Sequence, residues 1–197
     1  MQKCTMTPDA TLELFRRYGA LLEGHFRLSS GLHSSGYLQS ALVLQHPNHA
    51  ESLGHAIGAR TRELAATVVL SPALGGVVIG HEVGRALGVR AIFAERQEGS
   101  LTIRRGFTLA ESDRVLVIED VFTTGASTRE TMDAARAAGG QVVGAAAIVD
   151  RSGGTVRFDV PCQALLGLSL PVYEPETCPL CAQGLPVSKP GSRPVLA

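Results

Sequence analysis

The stretch from residue 115 to 128 constrains the fold of this chain most strongly. It joins an apolar β-branched run, a pair of carboxylates and a glycine turn rich in hydroxyl groups. These parts are residues 115–118, Glu119, Asp120, Thr123, Thr124 and Gly125. A short run that is apolar on both faces is typical of a strand buried in a parallel sheet. Glycine lets the backbone approach a ligand and a helix start offers free N–H groups, so the stretch predicts a strand, an anion-binding turn and a helix.

The sequence on either side alternates apolar runs with helical patterns. It predicts strands at 68–70, 89–94, 115–118 and 142–149, and helices at 11–22, 48–64, up to Leu87 and at 126–138. Strands joined by helices favour right-handed crossovers, a parallel sheet and ligands at the carboxyl ends of the strands. Four loops should therefore meet at one edge of the sheet: 71–76, 95–107, 119–127 and 150–154.

The charge balance argues against a protein that binds polyanions through its net charge. Lys plus Arg and Asp plus Glu number 18 each, so no net field attracts nucleic acid or an anionic membrane. No apolar run reaches membrane-spanning length, and the first residues lack the apolar core of a signal peptide. The 4 cysteines are too few for a secreted disulfide scaffold. We expect a cytoplasmic protein with reduced thiols and with neither nucleic acid nor membrane as a partner.

Three common binding motifs do not fit the chain. A P-loop requires a lysine after its second glycine, and the lysines of this sequence are Lys3 and Lys189. The glycines between 75 and 80 lack the spacing of a dinucleotide-binding loop. His81 and Glu82 begin a zinc-protease pattern, but Arg85 stands where the second histidine is needed. His81 and the other five histidines are expected to be packing or surface residues.

The strand, carboxylate pair and threonine–glycine turn resemble the phosphoribosyl diphosphate (PRPP) motif of the type I phosphoribosyltransferases. Residues 26–39 resemble the hood of the orotate enzymes of that family, and 150–154 resemble their Asp-Arg turn. The resemblance covers about residues 10–185. It implies an α/β type I phosphoribosyltransferase fold, with a central parallel sheet flanked by helices and a small hood built from N-terminal and C-terminal segments.

The resemblance also implies one phosphoribosyltransferase domain over 1–197. Its hood would comprise mainly 20–45 and 155–185, its core about 48–154, and an extended tail about 186–197. The implied reaction transfers the 5-phosphoribosyl group from PRPP to orotate, giving orotidine 5'-monophosphate and diphosphate in de novo pyrimidine biosynthesis. Mg²⁺ is the implied cofactor, held mainly by PRPP and water without direct protein ligands, and a homodimer is the implied assembly. A transferase for another base and a PRPP-sensing regulator remain as alternatives.

The resemblance assigns roles to individual residues. PRPP would be bound by Arg96, Glu119, Asp120, Val121, Phe122, Thr123, Thr124, Gly125, Ala126 and Ser127. The diphosphate loop would be Ala73, Leu74, Gly75 and Gly76. Orotate would contact Thr123 and Arg151. The catalytic residues would be Asp120, Glu119, Arg96, Arg104 and Arg105, the three arginines lying on a lid over 95–107.

Two departures from the orotate enzymes concern lysines. Many of those enzymes use lysine in the lid, where this chain has Ser100, so Arg104 and Arg105 are the candidates to replace it. The hood lysine of some members is Ser29 or Ser30 here. Arginine is not geometrically equivalent to lysine, so the sequence leaves open which cation acts.

Cys178 and Cys181 have the spacing of a zinc knuckle. A tetrahedral structural zinc needs four ligands, and this pair supplies two. Cys162, Cys4 or a second subunit are candidates for the others. The alternative is a proline-stiffened turn with two reduced thiols, and the sequence alone does not decide between them.

Overall fold

The computed structural model describes residues 6–28 and 31–189 of the 197-residue chain. Its strands are β1 (Leu21–Arg27), β2 (His33–Leu38), β3 (Val68–Pro72), β4 (Arg90–Gln97), β5 (Ser100–Ile103), β6 (Arg114–Phe122), β7 (Gln141–Asp150), β8 (Cys162–Gly167) and β9 (Val172–Tyr173). Its α-helices are α1 (Pro8–Arg17), α2 (Ala41–Leu44), α3 (Pro47–Thr61), α4 (Gly75–Leu87), α5 (Ala126–Ala137) and α6 (Pro179–Ala182). None of these helices is both long and apolar enough to cross a membrane.

A six-stranded sheet forms the centre of the fold, in the order β5-β4-β3-β6-β7-β8. Neighbouring strands from β4 to β8 are parallel, and only β5 at the edge is antiparallel among them. Helices α1, α3 and α4 cover one face, and α5 covers the other. The α/β fold with a central parallel sheet is therefore confirmed.

Strand β6 shows how the sequence builds the two faces of this sheet. Leu116 and Ile118 enter the core beneath α1, α3 and α4, whereas Val115 and Val117 enter the core beneath α5. Successive side chains of a strand point to opposite faces, so an apolar run is buried on both sides. The same alternation fixes the faces on which the next two residues, both carboxylates, lie.

A second, smaller sheet forms the hood, with the antiparallel order β1-β2-β9. The chain beyond α6 returns to it, because Arg27 N donates to Ser188 O and Ser188 N donates to His25 O, each at 2.8 Å. The hood was expected to contain 155–185, but β8 within that range extends the large sheet beside β7. The later part of the range joins the hood strands, since Ser34 Oγ of β2 donates to Pro171 O at 2.7 Å and β9 pairs with β2.

The two largest boundary differences between the sequence prediction and the structure have local reasons. The helix expected at 11–22 ends at Arg17, since Gly19 adopts a left-handed φ of 61° and Leu21 and Leu22 pair with β2. The strand expected at 115–118 continues to Phe122, so the two carboxylates belong to the strand. Cys4, Ser29, Ser30 and the tail from 190 onward lie outside the described residues.

Candidate active site

A cleft of about 1020 Å³ opens between the large sheet and the hood. It lies at the carboxyl ends of β6 and β7, where a parallel sheet is expected to bind ligands. The end of β6, the turns after β6 and β7, and the hood all contribute side chains to its wall. Those considered below are Tyr37, Glu119, Asp120, Val121, Thr123, Thr124, Ala126, Ser127, Arg129 and Arg151.

The carboxylate pair is divided between the two faces of β6. Glu119 is buried on the α5 side, where Ser127 Oγ donates a hydrogen bond to its Oε2 at 2.8 Å. Asp120 lies on the α4 side, because a Cβ atom at Gly75 would approach its Oδ1 to 2.9 Å. The two carboxylates therefore lie at the starts of two helices on opposite sides of the sheet, Glu119 at α5 and Asp120 at α4.

Burial and the neighbouring Asp120 charge raise the pKa of Glu119 to about 8. The hydrogen bond from Ser127 opposes this shift but does not cancel it. The raised pKa favours a proton on the Glu119 carboxyl at neutral pH, and the Asp120 side chain lines the cleft.

The turn after β6 is shaped to receive an anion. Gly125 adopts a left-handed φ of 75° at the start of α5, and a Cβ atom there would lie 2.9 Å from Val156 Cγ1. Gly125 offers no capping side chain, and the first amide of α5, Ala126 N, donates to Thr124 Oγ1 at a long 3.4 Å, a contact that an anion at the helix start can replace. Arg129 braces the turn, as its Nη1 donates to the Thr124 carbonyl at 2.9 Å and its guanidinium lies 5.3 Å from the centre of the Phe158 ring.

The proposed PRPP residues have different surroundings. Val121, Thr123, Thr124, Ala126 and Ser127 line the cleft. The side chain of Phe122 is buried and packs edge-on against Phe158, with ring centres 5.3 Å apart. The Phe122 side chain therefore stabilises the turn by packing in the core and does not line the cleft.

The loop from Ala73 to Gly76 passes directly beside the acidic pair. Ala73 N donates to Ala94 O at 2.7 Å, and the side chain of Leu74 is 87% exposed. Added Cβ atoms would approach Asp120 Oδ1 to 2.9 Å at Gly75 and Ile118 O to 2.8 Å at Gly76. Only glycine allows the backbone to come this close, so the predicted diphosphate loop and Asp120 form one continuous surface.

Arg151 places a half-buried cation in the wall of the cleft, on the side next to the hood. Its Nη2 donates to Ser34 Oγ of the hood at 2.9 Å, and burial lowers its pKa. Within residues 6–28 and 31–189, no carboxylate lies within ion-pair distance of it. Such a guanidinium is suited to an anionic group on a ligand.

The three predicted lid arginines lie away from the cleft. The segment expected to form a lid loop is instead a β-hairpin, because Glu95, Arg96 and Gln97 continue β4 and pair with β5. Arg96 pairs with Glu130 at 2.9 Å and also donates to the Gly99 carbonyl. Glu95 pairs with Arg104 at 3.5 Å and with Arg105 at 2.8 Å. These cations occupy the β5 edge and are not brought to Asp120 in this chain.

Comparison with known proteins gives one consistent result. The sequence model of the phosphoribosyl transferase domain family matches residues 41–166. The chain is 52% identical over 190 residues to an orotate phosphoribosyltransferase of Pelotomaculum thermopropionicum, covering 96% of this chain and 100% of that relative. It is also 52% identical over 183 residues to the enzyme of that name from Carboxydothermus hydrogenoformans, covering 92% and 96% of the two chains. This chain belongs to the orotate phosphoribosyltransferase family.

The fold of a solved member of this family agrees with that assignment. The Mycobacterium tuberculosis orotate phosphoribosyltransferase in complex with PRPP has a TM-score of 0.63 and 26% sequence identity to this chain. The match covers 80% of this chain and 94% of the other. The sequence resemblance to the orotate branch of the phosphoribosyltransferases is therefore confirmed.

Two cleft residues of this family member were missed by the sequence reasoning. Tyr37 on β2 lies near both Asp120 and Arg151, since burial and then the Asp120 charge raise its pKa while the Arg151 charge lowers it. It belongs to the segment that resembles the hood, which was a usable signal. Arg129 lies four residues after Gly125, one helical turn along α5, and helical spacing would have placed it beside the turn.

The raised pKa of Glu119 predicts a pH-dependent stability difference. Between pH 4.5 and about 8 the unfolded chain releases this proton and the folded chain retains it, so the residue destabilises the fold progressively as pH rises through that window. Glu119→Gln has no proton to release. Its Tm should exceed that of the wild type above pH 8 and approach it near pH 4.5, with a free-energy difference on the order of a few kcal/mol at most.

Thermal unfolding of both proteins across that range measures this difference. Glu111→Gln, which removes an exposed carboxylate, is the matched control and should show no such trend. A Tm difference for Glu119→Gln that stayed constant with pH would contradict the assigned proton.

Proposed function

We propose that this chain transfers the 5-phosphoribosyl group of PRPP to orotate, giving orotidine 5'-monophosphate and diphosphate in de novo pyrimidine biosynthesis. The observation that carries the proposal is the meeting of Asp120, the turn at 123–127 and Arg151 around one cleft. These groups match the three parts of the reaction: a ribose, a phosphate and an anionic base. Membership of the orotate phosphoribosyltransferase family supports the same reaction.

PRPP is proposed to bind along the end of β6. Its 5'-phosphate accepts hydrogen bonds from the first amides of α5 and from Thr123 and Thr124, as anions do at helix starts. The ribose hydroxyls donate to Asp120, and the diphosphate lies along the loop from Ala73 to Gly76. As the bond from C1 to the diphosphate breaks, the leaving oxygen takes the electron pair, and the Asp120 carboxylate stabilises the positive charge on the sugar.

Orotate is proposed to lie between Arg151 and the hood. Its carboxylate pairs with the Arg151 guanidinium, and its ring packs among Leu28, Leu32 and Leu170 near Thr123. The N1 atom of orotate gives its proton to solvent water, and its lone pair then forms the new bond to C1 as the bond from C1 to the diphosphate breaks. Uracil has no carboxylate and would leave Arg151 unpaired, which disfavours it in this cleft.

Mg²⁺ is the proposed cofactor. The cleft offers oxygen ligands of the kind that Mg²⁺ prefers, but only a few of them. Asp120 and the hydroxyl groups of the turn are hard oxygen donors, which Mg²⁺ prefers. Glu119 is buried and bonded to Ser127, so few protein ligands are available and PRPP and water would fill most of the coordination shell. When bound, the ion neutralises charge on the diphosphate.

A homodimer is proposed because the lid arginines do not reach the cleft of their own chain. The side chains of Arg96, Arg104 and Arg105 are 51%, 48% and 61% exposed. Ion pairs as exposed as theirs contribute only about 0–1 kcal/mol, so the arginines can exchange them for a diphosphate at little cost. The hairpin of β4 and β5 would then extend into the neighbouring subunit's cleft.

A cytoplasmic location is proposed because Cys162, Cys178 and Cys181 form no disulfide, and reduced cysteines are typical of that compartment.

Removing the charge of Asp120 tests the core of the mechanism. Asp120→Asn should lower kcat/KM about ten- to a hundredfold, because a charge-assisted contact contributes about 1.5–3 kcal/mol. The assay follows loss of orotate absorbance with PRPP and Mg²⁺, each omitted in turn. Asp133→Asn, at an exposed position on α5, should behave as wild type. Unchanged turnover by Asp120→Asn would remove Asp120 from the mechanism.

Replacement of Arg151 tests the choice of base. Arg151→Gln should raise KM for orotate about ten- to a hundredfold and leave the slow reaction with uracil little changed, since only orotate carries the paired carboxylate. Arg136→Gln is the control, because that guanidinium pairs with Asp133 and Asp159 on the surface. Preference of the wild type for uracil would overturn the orotate proposal, whereas equal losses with both bases would reduce Arg151 to a positioning residue.

Subunit complementation tests the shared site. The triple variant R96A/R104A/R105A and the D120N variant should each have little activity. Co-expressed with different tags and purified as the mixed dimer, they should recover one intact site of two, or about half of the wild-type rate per dimer. No recovery in a verified mixed dimer would show that the lid acts within its own chain.

A further inference from the structure

Two histidines and two cysteines meet in the hood, outside the cleft. His25 comes from β1 and His33 from β2, while Cys178 precedes α6 and Cys181 lies within it. One ligand atom from each residue lies within 4.8 Å of all the others. His25, His33 and Cys178 are buried, and Cys181 is exposed at the rim.

The three distances between sulfur and nitrogen in this cluster are close to those of a tetrahedral coordination shell, and the two nitrogens lie closer together than such a shell would place them. His25 Nε2 lies 2.9 Å from His33 Nδ1, and Cys181 Sγ lies 3.3 Å from His33 Nδ1. Cys178 Sγ and Cys181 Sγ lie 3.6 and 3.7 Å from His25 Nε2. Zinc bonds of about 2.3 Å to sulfur and 2.0–2.1 Å to nitrogen would separate tetrahedral ligands by roughly 3.3–3.8 Å.

The orientation of His25 is already fixed for binding a metal. Its Nδ1 lies 2.8 Å from the Leu185 carbonyl, which can only accept, so Nδ1 carries the proton. The lone pair of Nε2 therefore points at the other three groups. A backbone carbonyl in this role is the usual support of a metal-binding histidine.

We propose that His25, His33, Cys178 and Cys181 bind one Zn²⁺ as a structural site. Two thiolates and two imidazoles suit zinc, and they differ from the oxygen ligands that Mg²⁺ prefers. Four protein ligands close the tetrahedron and leave no position for a substrate, which is the arrangement of structural zinc. None of the four residues lines the cleft, so the site is separate from the transferase centre.

The zinc would join three parts of the hood. It links β1 and β2 to the chain around α6, and Ser188 beyond that helix already pairs with β1 through Arg27. The residue after His33 is Ser34, which accepts the hydrogen bond from Arg151. A metal here therefore holds the C-terminal segment and the hairpin that bounds the cleft in one position.

Metal content tests the proposal directly. Tag-free wild-type protein, purified without chelator, should contain about one zinc per chain by mass spectrometry, as expected for one four-ligand site. The double variant C178S/C181S should lose most of it, and so should His33→Gln. Cys162→Ser is the matched control, since Cys162 is an exposed thiol on β8 outside the cluster, and it should retain the metal.

Cobalt substitution of the full-length wild type gives a readout that does not depend on how the variants fold. Co²⁺ added to metal-free protein should produce the visible bands of tetrahedral cobalt and a thiolate charge-transfer band, and Zn²⁺ should abolish both. Removal of the metal should also lower Tm, because a structural metal contributes directly to folding.

Several outcomes would overturn the site. They are a wild type with neither zinc nor the cobalt bands, zinc retained in folded C178S/C181S, zinc lost in Cys162→Ser, or a Cys178–Cys181 disulfide in freshly purified metal-free protein. A different metal at full occupancy would overturn the assignment to zinc.

Discussion

The alternation of side chains at the end of β6 is the constraint on which the site depends. Leu116 and Ile118 lock one face of the strand into the core and Val115 and Val117 lock the other, so the faces of Glu119 and Asp120 are determined before any ligand binds. Asp120 is thereby set against Gly75 and the start of α4, and Glu119 against Ser127 at the start of α5. A slip of one residue in β6 would exchange the two carboxylates and bury the wrong one. The register of β6 therefore determines both the packing of the apolar core and the positions of the two carboxylates in the cleft.

The cleft is formed by two parts of the fold, the large sheet and the hood, which supply different functional groups. The large sheet supplies the groups proposed to handle the sugar and its phosphates: the carboxylates at the end of β6, the turns that follow β3 and β6, and the arginines of the β4–β5 hairpin. The hood supplies Tyr37 and Ser34, which lie beside Asp120 and Arg151 respectively. Selectivity for the base would then depend on how the hood sits over the sheet, and the proposed zinc site stabilises the hood without lining the cleft.

Local sequence patterns were sufficient for the large sheet but not for its edges. Buried strands, the helix ending at Gly88 and the turn at Gly125 each follow from residues close together in the chain. The sequence does not predict strand β8, because its short mixed run becomes a strand only by pairing with β7. It does not predict the strand pairing at 95–103 either, because polar residues occupy that exposed edge. The partners of Cys178 were equally beyond local reasoning. His25 lies 153 positions away in sequence, and only the fold brings the two together.

The protonated state of Glu119 has a consequence for how a polyanion enters this protein. PRPP carries several negative charges, and two ionised carboxylates at the mouth of its pocket would repel it as it approached. The raised pKa of Glu119 favours a proton on this carboxyl, which lowers the negative charge that the strand end presents to PRPP. Entry of the substrate should accordingly slow in alkaline solution once that proton is lost, in addition to any change in the chemical step.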